Sequence, residues 1–537
     1  MMRMRGTVFF LIAVLAWADT YVRQTGIDVE HYVFRLALTD ASDEIAGEAT
    51  VAVLFRQSGV TAFVLDLASP APRGKGMTVS AVTGVGAAAL TYTHEAGRLT
   101  IALSSPPVAG ERREFTIKYR GIPASGLRID KNKHGERTFF GLNWPNLARQ
   151  WLPMVDHPYE KATSEFLVTA PAHYQVVANG LLMEERDLGG GLRLTHWKQS
   201  VPISSWLNAI GVAQFSVRHV GHVRGTPLET WVFHQDAAAG AGTFEVPSRQ
   251  AMEFFSDRIG PYPYEKLANV QAAGLSGGTE HASAIFYGEA AVNGKPATNL
   301  VIHEIAHQWF GDAITEKDWD EVWLSEGFAT YFTLLATEHY EGRDAFVAGL
   351  GRAKEAVAAA QKQAPEQPII HRNLEEMSKV LNRLVYQKGA WVLHMLRGEM
   401  GTEPFWAGIR DYYAQYRDRN VSTDEFRAVM ERRHGRNLQW FFDQWLHRPG
   451  WPVLEGGWRY DAASKKLVVE LEQRQAAEVY RLPLELAIGS GDSRRIERLE
   501  MNEKRQRFEI ALEKAPGPAV VLDPNVWMLM DARFEAR

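Results

Sequence analysis

The chain has 537 residues, a formal net charge of −5 and no cysteine. This length predicts two to four domains, because single hydrophobic cores rarely serve more than about 250–300 residues. Acidic and basic residues are interspersed without a basic stripe, which argues against nucleic-acid partners. The lack of cysteine excludes disulfides as a source of stability and makes redox control unexpected.

Residues 1–18 have the pattern of a secretory signal peptide. Two arginines precede an apolar segment over 7–15, and Ala16-Trp17-Ala18 offers small residues for cleavage before Asp19. A membrane anchor is the alternative, but the apolar run is far shorter than the about 20 residues that span a bilayer. We therefore expect an exported protein, periplasmic or extracellular, with no stable membrane span once the signal is removed.

Residues 19–220 are expected to form an N-terminal β-sandwich, because short apolar and β-branched runs alternate with turn residues. The glycines at 189–191 are interpreted as a hairpin turn, since no helix start follows them. Strands are predicted over 33–38, 48–55, 61–67, 99–103, 114–119, 162–169, 174–178 and 192–197.

One segment of this domain differs, Asn143 to Pro153, which combines aromatic, polar and proline residues. Its composition fits a packed loop as well as a wall that faces substrate. From composition alone the two interpretations stay open.

A loop with two consecutive glycines, Gly277 and Gly278, lies within the catalytic region predicted over 221–452. Glycines beside a strand let the backbone approach a ligand closely, so a peptide could pair there as an added edge strand. Glu280 follows in the same loop and leads towards the next helix. A role in the site is therefore favoured over that of a solvated surface charge.

A predicted helix over 300–311 carries the motif His-Glu-x-x-His. Residues four apart lie on the same face of a helix, so His303 and His307 can direct two imidazoles at one ion. Glu304 is rotated off that line and can reach a water held by the metal. This arrangement predicts a catalytic zinc site, with one zinc per chain.

The third zinc ligand is predicted to be Glu326, on a second helix over 322–340. Two histidines and one glutamate leave a fourth position open, as catalytic zinc requires. Asp320 precedes this helix and could accept a hydrogen bond from a ligating histidine. A plain surface aspartate is the equal alternative.

Apolar residues spaced by three and four continue a helical pattern from 343 to about 447. Within it lies Tyr386, either a core residue or a phenol that donates to an oxyanion at the metal. A small C-terminal β-sandwich is predicted over 453–537. Its strands are expected over 466–471, 481–488, 507–512 and 520–522.

Several motifs occur in a fixed order and together resemble one family, the zinc aminopeptidases of the aminopeptidase N type. This gluzincin group also contains the leukotriene hydrolases. The resemblance covers nearly the whole chain after residue 18 and implies an α+β multidomain fold: an N-terminal β-saddle, a thermolysin-like α/β domain with a helical lobe, and a small C-terminal β-sandwich. The motifs lie at 151–158, 179–180, 262–267, 303–312, 323–329, 386–389 and 445–452.

The resemblance also implies roles for individual residues. Glu304 would be the general base for the zinc-bound water, and Tyr386 the oxyanion donor. Glu280 would bind the free amino group of a peptide substrate. The implied activity is removal of N-terminal residues from peptides.

Two departures from the family pattern affect substrate binding. The amine-binding loop has Thr279 and His281 where relatives have Met and Asn, and Trp144 stands where a second amine anchor is usual. Asn143 or Asn146 could replace that anchor. The alternative function is therefore a zinc endopeptidase, or a peptidase of relaxed end-specificity. A non-catalytic peptide-binding module is disfavoured, since ligands, base and tyrosine are all present.

Overall fold

The structure, a computed structural model, describes residues 19–71, 74–370, 377–489, 494–516 and 519–537. The predicted signal peptide over 1–18 lies outside the described residues. The α+β architecture is confirmed: β-sheets at both ends of the chain flank a region that combines one sheet with a helical lobe. Across these ranges the structure has no helix of the length and apolarity needed to cross a membrane.

The N-terminal domain consists of three sheets around a common apolar core. A seven-stranded sheet has the order β12-β13-β10-β1-β2-β7-β4, beside a four-stranded sheet, β11-β14-β9-β8, and a three-stranded sheet, β3-β6-β5. The strands are β1 (Ile27–Ala37), β2 (Ile45–Phe55), β3 (Ala62–Asp66), β4 (Gly76–Thr83), β5 (Tyr92–Glu95), β6 (Arg98–Ala102), β7 (Arg112–Ile122), β8 (Leu127–Lys131), β9 (Arg137–Gly141), β10 (Lys161–Pro171), β11 (Gln175–Ala178), β12 (Leu181–Gly189), β13 (Leu192–Ser204) and β14 (Ile210–Ala213).

The hairpin predicted at the glycines 189–191 joins β12 to β13. All three glycines have positive φ angles, between 63° and 77°, which side chains with a Cβ rarely adopt. Glycine is therefore required at this turn by the backbone conformation.

A five-stranded sheet of order β15-β16-β17-β19-β18 follows the N-terminal sheets. Its first strand, β15, starts at Phe215, and the domain boundary predicted between residues 220 and 221 stays a prediction. The sheet strands are β15 (Phe215–Val223), β16 (Thr226–Phe233), β17 (Leu267–Ala272), β18 (Gly278–Thr279) and β19 (Ala284–Gly288); a short pair, β20 (Ile314–Glu316) and β21 (Arg419–Val421), lies apart from it.

The described part of the predicted catalytic domain also contains eight α-helices, and the motif helix is buried among the others. They are α1 (Ala237–Arg258), α2 (Thr298–His307), α3 (Trp323–Glu341), α4 (Arg343–Gln363), α5 (Gly389–Met400), α6 (Thr402–Tyr416), α7 (Thr423–His434) and α8 (Gln439–Leu446). A π-helical turn, Leu384–Lys388, leads directly into α5. Single π-turns are often found at functional sites.

The C-terminal sheets pack on the helical lobe. The two sheets have the orders β26-β23-β22-β28 and β25-β24-β27. His394 of α5 anchors them, because its Nε2 lies 2.9 Å from the Val526 carbonyl and its ring stacks on Trp527. The strands are β22 (Val453–Asp461), β23 (Lys466–Gln473), β24 (Leu482–Ile488), β25 (Arg495–Met501), β26 (Arg505–Ala511), β27 (Val520–Leu522) and β28 (Asp531–Ala536).

Candidate metal centre

The three predicted zinc ligands meet at one point between α2 and α3. His303 Nε2 lies 3.2 Å from His307 Nε2, and Glu326 Oε2 lies 3.4 Å and 3.2 Å from these two nitrogens. A tetrahedral ion bound at about 2.0–2.1 Å from each donor requires donor separations of about 3.3–3.4 Å. The observed triangle therefore has the size that zinc needs.

Hydrogen bonding on the far side of His307 explains why this cluster needs a cation. Its Nδ1 lies 3.2 Å from the carbonyl oxygen of Phe310, which can only accept, so we assign the proton to Nδ1. The Nε2 lone pair then faces a second imidazole and the buried Glu326 Oε2, which has no hydrogen-bond partner. Lone pairs and a negative charge at these distances repel one another unless a metal lies between them.

Glu304 lies beside these ligands, in close contact with Gly278 of β18. A Cβ on Gly278 would lie 2.4 Å from the carboxyl carbon and from Oε1 of Glu304, so only glycine leaves room for this carboxylate. Burial raises the pKa of Glu304 well above its usual value, and the charge of Glu280 raises it further. A raised pKa suits a carboxylate that accepts a proton near neutral pH.

Tyr386 reaches the site because two helices approach closely. Gly327 of α3 and Gly389 at the start of α5 face each other, and a Cβ on either would lie 3.0 Å from the Cα of the other. The ring of Tyr386 lies parallel to that of His303, with 6.1 Å between centroids. Burial, and then the charge of Glu326, raise the pKa of Tyr386 above its usual value, so the phenol stays protonated and can donate.

Glu280 is buried one residue beyond β18, the last strand of the described five-stranded sheet. The charge of Glu280 raises the pKa values of Glu304, His307 and Tyr386. Its carboxylate therefore lies close enough to these site residues to act on them electrostatically. Burial in turn raises the pKa of Glu280 itself. A buried carboxylate in this position suits a cationic group of a ligand.

Two side chains whose role the sequence analysis missed, Gln308 and Asn179, form hydrogen bonds with the backbone of the Glu280 loop. The side-chain amide of Gln308 donates to the Glu280 carbonyl at 3.0 Å, and its oxygen accepts from the Ser283 backbone at 2.8 Å. From the N-terminal domain, Asn179 donates to the Ala282 carbonyl at 2.7 Å. A buried glutamine directly after His307 was the available signal, since a buried amide must be hydrogen-bonded.

A cleft of about 870 Å³ opens from this site. Gly277, Gly278, His303, Glu304 and Tyr386 all line it. It continues between α3 and α4, where small side chains form much of the wall. The site therefore has room for a ligand several residues long.

Other predicted site residues lie away from the cleft. The Asn143 side chain is fully buried, donating to the Asn208 carbonyl at 2.5 Å and accepting from Trp151 Nε1 at 2.8 Å. Its contacts are those of a structural residue and do not support substrate binding. Trp144 packs edge-on against Trp319, with 5.2 Å between ring centroids. The segment is thus a packed loop in the described contacts.

His281 and Asp320 are both buried. The His281 ring is completely buried against Phe286, and burial lowers its pKa to about 3. Asp320 is buried in the turn Trp319–Glu321 that precedes α3. The described partners of His307 Nδ1 are instead Phe310 and the Ser325 hydroxyl, at 3.0 Å. The roles predicted for His281 and Asp320 stay predictions.

The fold and this donor set together define a zinc metallopeptidase. Comparison with known proteins specifies the family. The model of the peptidase M1 N-terminal domain matches residues 28–207, and that of the peptidase family M1 domain matches residues 245–445. The two models cover more than two thirds of the chain. The chain therefore belongs to peptidase family M1, and the predicted zinc cofactor is confirmed.

Several similar proteins are named as aminopeptidases. The chain is 27% identical to glutamyl aminopeptidase of Bitis rhinoceros over 326 residues, which are 58% of this chain and 34% of that protein. It is 28% identical to human glutamyl aminopeptidase over 332 residues, again 58% and 34%. The chain spans about a third of the length of these curated relatives.

Similar solved structures match along most of their length. The M1 zinc metallopeptidase of Deinococcus radiodurans is 27% identical, with a TM-score of 0.67, over 78% of this chain and 93% of that one. A variant of the same enzyme bound to a Tyr-Ser-Ala substrate is also 27% identical, with a TM-score of 0.66 and coverage of 79% and 94%. These matches confirm the predicted multidomain fold.

Proposed function

We propose that this protein is a zinc aminopeptidase that hydrolyses the first peptide bond of peptides with a free N-terminus. The observation that carries the proposal is the buried carboxylate of Glu280, whose charge acts on Glu304 and Tyr386. A cationic α-amine bound there would place the first peptide bond at the metal ligands. The relatives named as aminopeptidases, and the related enzyme solved with a tripeptide, agree with this substrate class.

The reaction needs a base, an oxyanion donor and a Lewis acid. When bound by His303, His307 and Glu326, zinc supplies the Lewis acid that activates water and polarises an amide carbonyl. Glu304 takes the proton of the attacking water and later delivers it to the leaving amine. Tyr386 donates to the developing oxyanion, a contact typically worth about 3–4 kcal/mol of barrier.

Substrate alignment follows from the edge strand. β18 pairs with β19 on one side only, with Gly278 opposite Tyr287 and Thr279 opposite Phe286. An extended peptide can add to its other side by backbone hydrogen bonds. This pairing fixes the peptide direction, while Glu280 fixes where its N-terminus stops.

The test compares a free peptide with its N-acetylated form, using wild type and Glu304→Gln. We expect the acetylated peptide to be cleaved more slowly, because an amide cannot replace the ammonium at a buried carboxylate. Glu304→Gln is expected to retain zinc and lose activity by a factor of about 10² or more. Equal rates on both peptides would favour the endopeptidase alternative, and full activity of the variant would contradict the assigned base.

We also propose that the chain is exported, on the pattern of residues 1–18. N-terminal sequencing of the protein purified from the periplasm or medium of its own cells should begin at Asp19. Recovery of the protein in the cytoplasm with residues 1–18 still attached would contradict export.

A further inference from the structure

The cleft continues away from the metal ligands along one face of α4. Its lining includes Ala345, Ala348, Arg352 and Ala356, which follow helical spacing along a single face. The 12 residues from Ala345 to Ala356 are separated by eleven rises of about 1.5 Å, so they span about 16 Å. An extended peptide advances about 3.3–3.6 Å per residue, so the cleft accommodates four or five residues in this direction.

Charged side chains in this part of the cleft are mainly cationic. Arg352 lies on the cleft face of α4, and Arg383 comes directly before the π-helical turn that carries Tyr386. Both guanidinium groups are exposed, and neither has an ion pair with an acidic residue in the described parts of the chain. Glu341 at the end of α3 is the acidic residue among the described cleft lining beyond Glu304.

We propose that Arg352 and Arg383 bind the C-terminal carboxylate of short peptide substrates. A guanidinium matches a carboxylate with two parallel hydrogen bonds, and this geometry is the strongest that a side chain offers to a free C-terminus. The inference rests on the proposed aminopeptidase function. With the N-terminus bound at Glu280 and the first peptide bond at the metal ligands, the remainder of the peptide would occupy the cleft along α4.

This assignment gives the protein a preference in peptide length. A peptide of about three to six residues brings its carboxylate within the reach of the two arginines. A longer peptide extends past them, so its C-terminal charge no longer contributes. The protein is thus predicted to act on short peptides, such as products of endopeptidases, in preference to intact proteins.

The experiment measures kcat/KM on peptides of three to ten residues, each with a free acid or an amidated C-terminus. For the short peptides, kcat/KM of wild type should be about three- to tenfold higher with the free acid than with the amide, a difference of the size that partly exposed ion pairs give. For the longest peptides, the free acid and the amide should have equal kcat/KM. Arg352→Gln and Arg383→Gln should raise KM for the short acids and leave the amides unchanged. Arg120→Gln, an exposed arginine on β7, is the matched control and should change neither.

Each outcome separates this inference from the proposed function. Equal rates on acids and amides in wild type would overturn the inference, while a persistent requirement for a free N-terminus would leave aminopeptidase activity in place. An equal loss on acids and amides in the variants would also overturn it, since that loss would indicate a structural role. Glu341→Gln should strengthen the preference for acids, because it removes a repelling charge.

Discussion

Gly278→Ala is expected to remove most of the activity while the fold and the zinc site remain. The added methyl would lie 2.4 Å from the Glu304 carboxyl carbon, whereas ordinary contacts begin at 3.4 Å. The carboxylate must therefore withdraw by about 1 Å, the difference between these distances. The three atoms that the methyl would meet are Cγ, Cδ and Oε1 of Glu304, so rotation of this side chain beyond its Cβ can relieve the contact.

The effect on activity should greatly exceed the effect on stability. Gly278 does not have a positive φ, so alanine fits its backbone, and the free energy of unfolding should change by less than about 1 kcal/mol. A displacement of about 1 Å in a catalytic group costs about 10²-fold in rate. We expect kcat to fall by about that factor, equivalent to about 2.7 kcal/mol of barrier.

The assay combines steady-state kinetics on a tripeptide, metal analysis and thermal unfolding. Gly351→Ala is the neutral control, since a Cβ there has no atom within 4 Å. Gly277→Ala tests backbone strain without a steric contact. Alanine at its φ of 82° should cost about 1–2 kcal/mol of stability, while its Cβ has no atom within 4 Å. Wild-type kcat in Gly278→Ala at full zinc content would refute the position assigned to the base.

Three further substitutions test single groups. Tyr386→Phe should keep zinc and KM but lower kcat by about 10²–10³-fold, because one oxyanion donor is lost; unchanged kcat in steady-state kinetics would contradict this role. Burial lowers the pKa of Lys388 to about 7 from 10.5, so between these pH values the unfolded chain binds more protons than the folded chain. The free energy of unfolding therefore rises with pH in this range and falls again as the pH falls. Relative to Lys388→Met, wild type should therefore gain about 2 kcal/mol in unfolding free energy from pH 7 to pH 9, and a difference independent of pH in urea denaturation would argue against the shift. His281→Leu removes two buried ring nitrogens that have no described partner, so stability should be equal or about 1 kcal/mol higher with KM unchanged, whereas a raised KM would support the predicted substrate role.

Local patterns explain why much of the fold and the ligand set was predictable. The four-residue spacing of His303 and His307 places them on one helical face whatever surrounds the helix. Alternating strands identified both β-domains for the same reason. The sheet to which a strand belongs is harder to predict, because pairing with β16, and not the local sequence, places the strand that starts at Phe215 in the five-stranded sheet.

The remaining features depend on contacts between residues far apart in the sequence. No local pattern indicates that Gly278 faces Glu304, or that the amide of Gln308 holds the backbone of Glu280. Asn143 shows the converse, since a polar residue in an aromatic segment suggested ligand binding. Its amide is instead hydrogen-bonded to Trp151, a partner that the sequence alone does not identify.

The number of buried carboxylates facing the substrate amine sets how strongly blocked N-termini are rejected. Trp144 packs against Trp206 and Trp319 and offers only an indole donor, so it cannot accept a hydrogen bond from an ammonium group. The Asn143 amide is engaged elsewhere, and Glu280 is then the remaining anchor. Leaving one buried carboxylate without its cationic partner costs about 3–5 kcal/mol, equivalent to about 150- to 5,000-fold in kcat/KM. N-acetylated peptides should therefore be cleaved slowly but measurably, and a ratio above about 10⁴ would require a second anchor that this geometry does not provide.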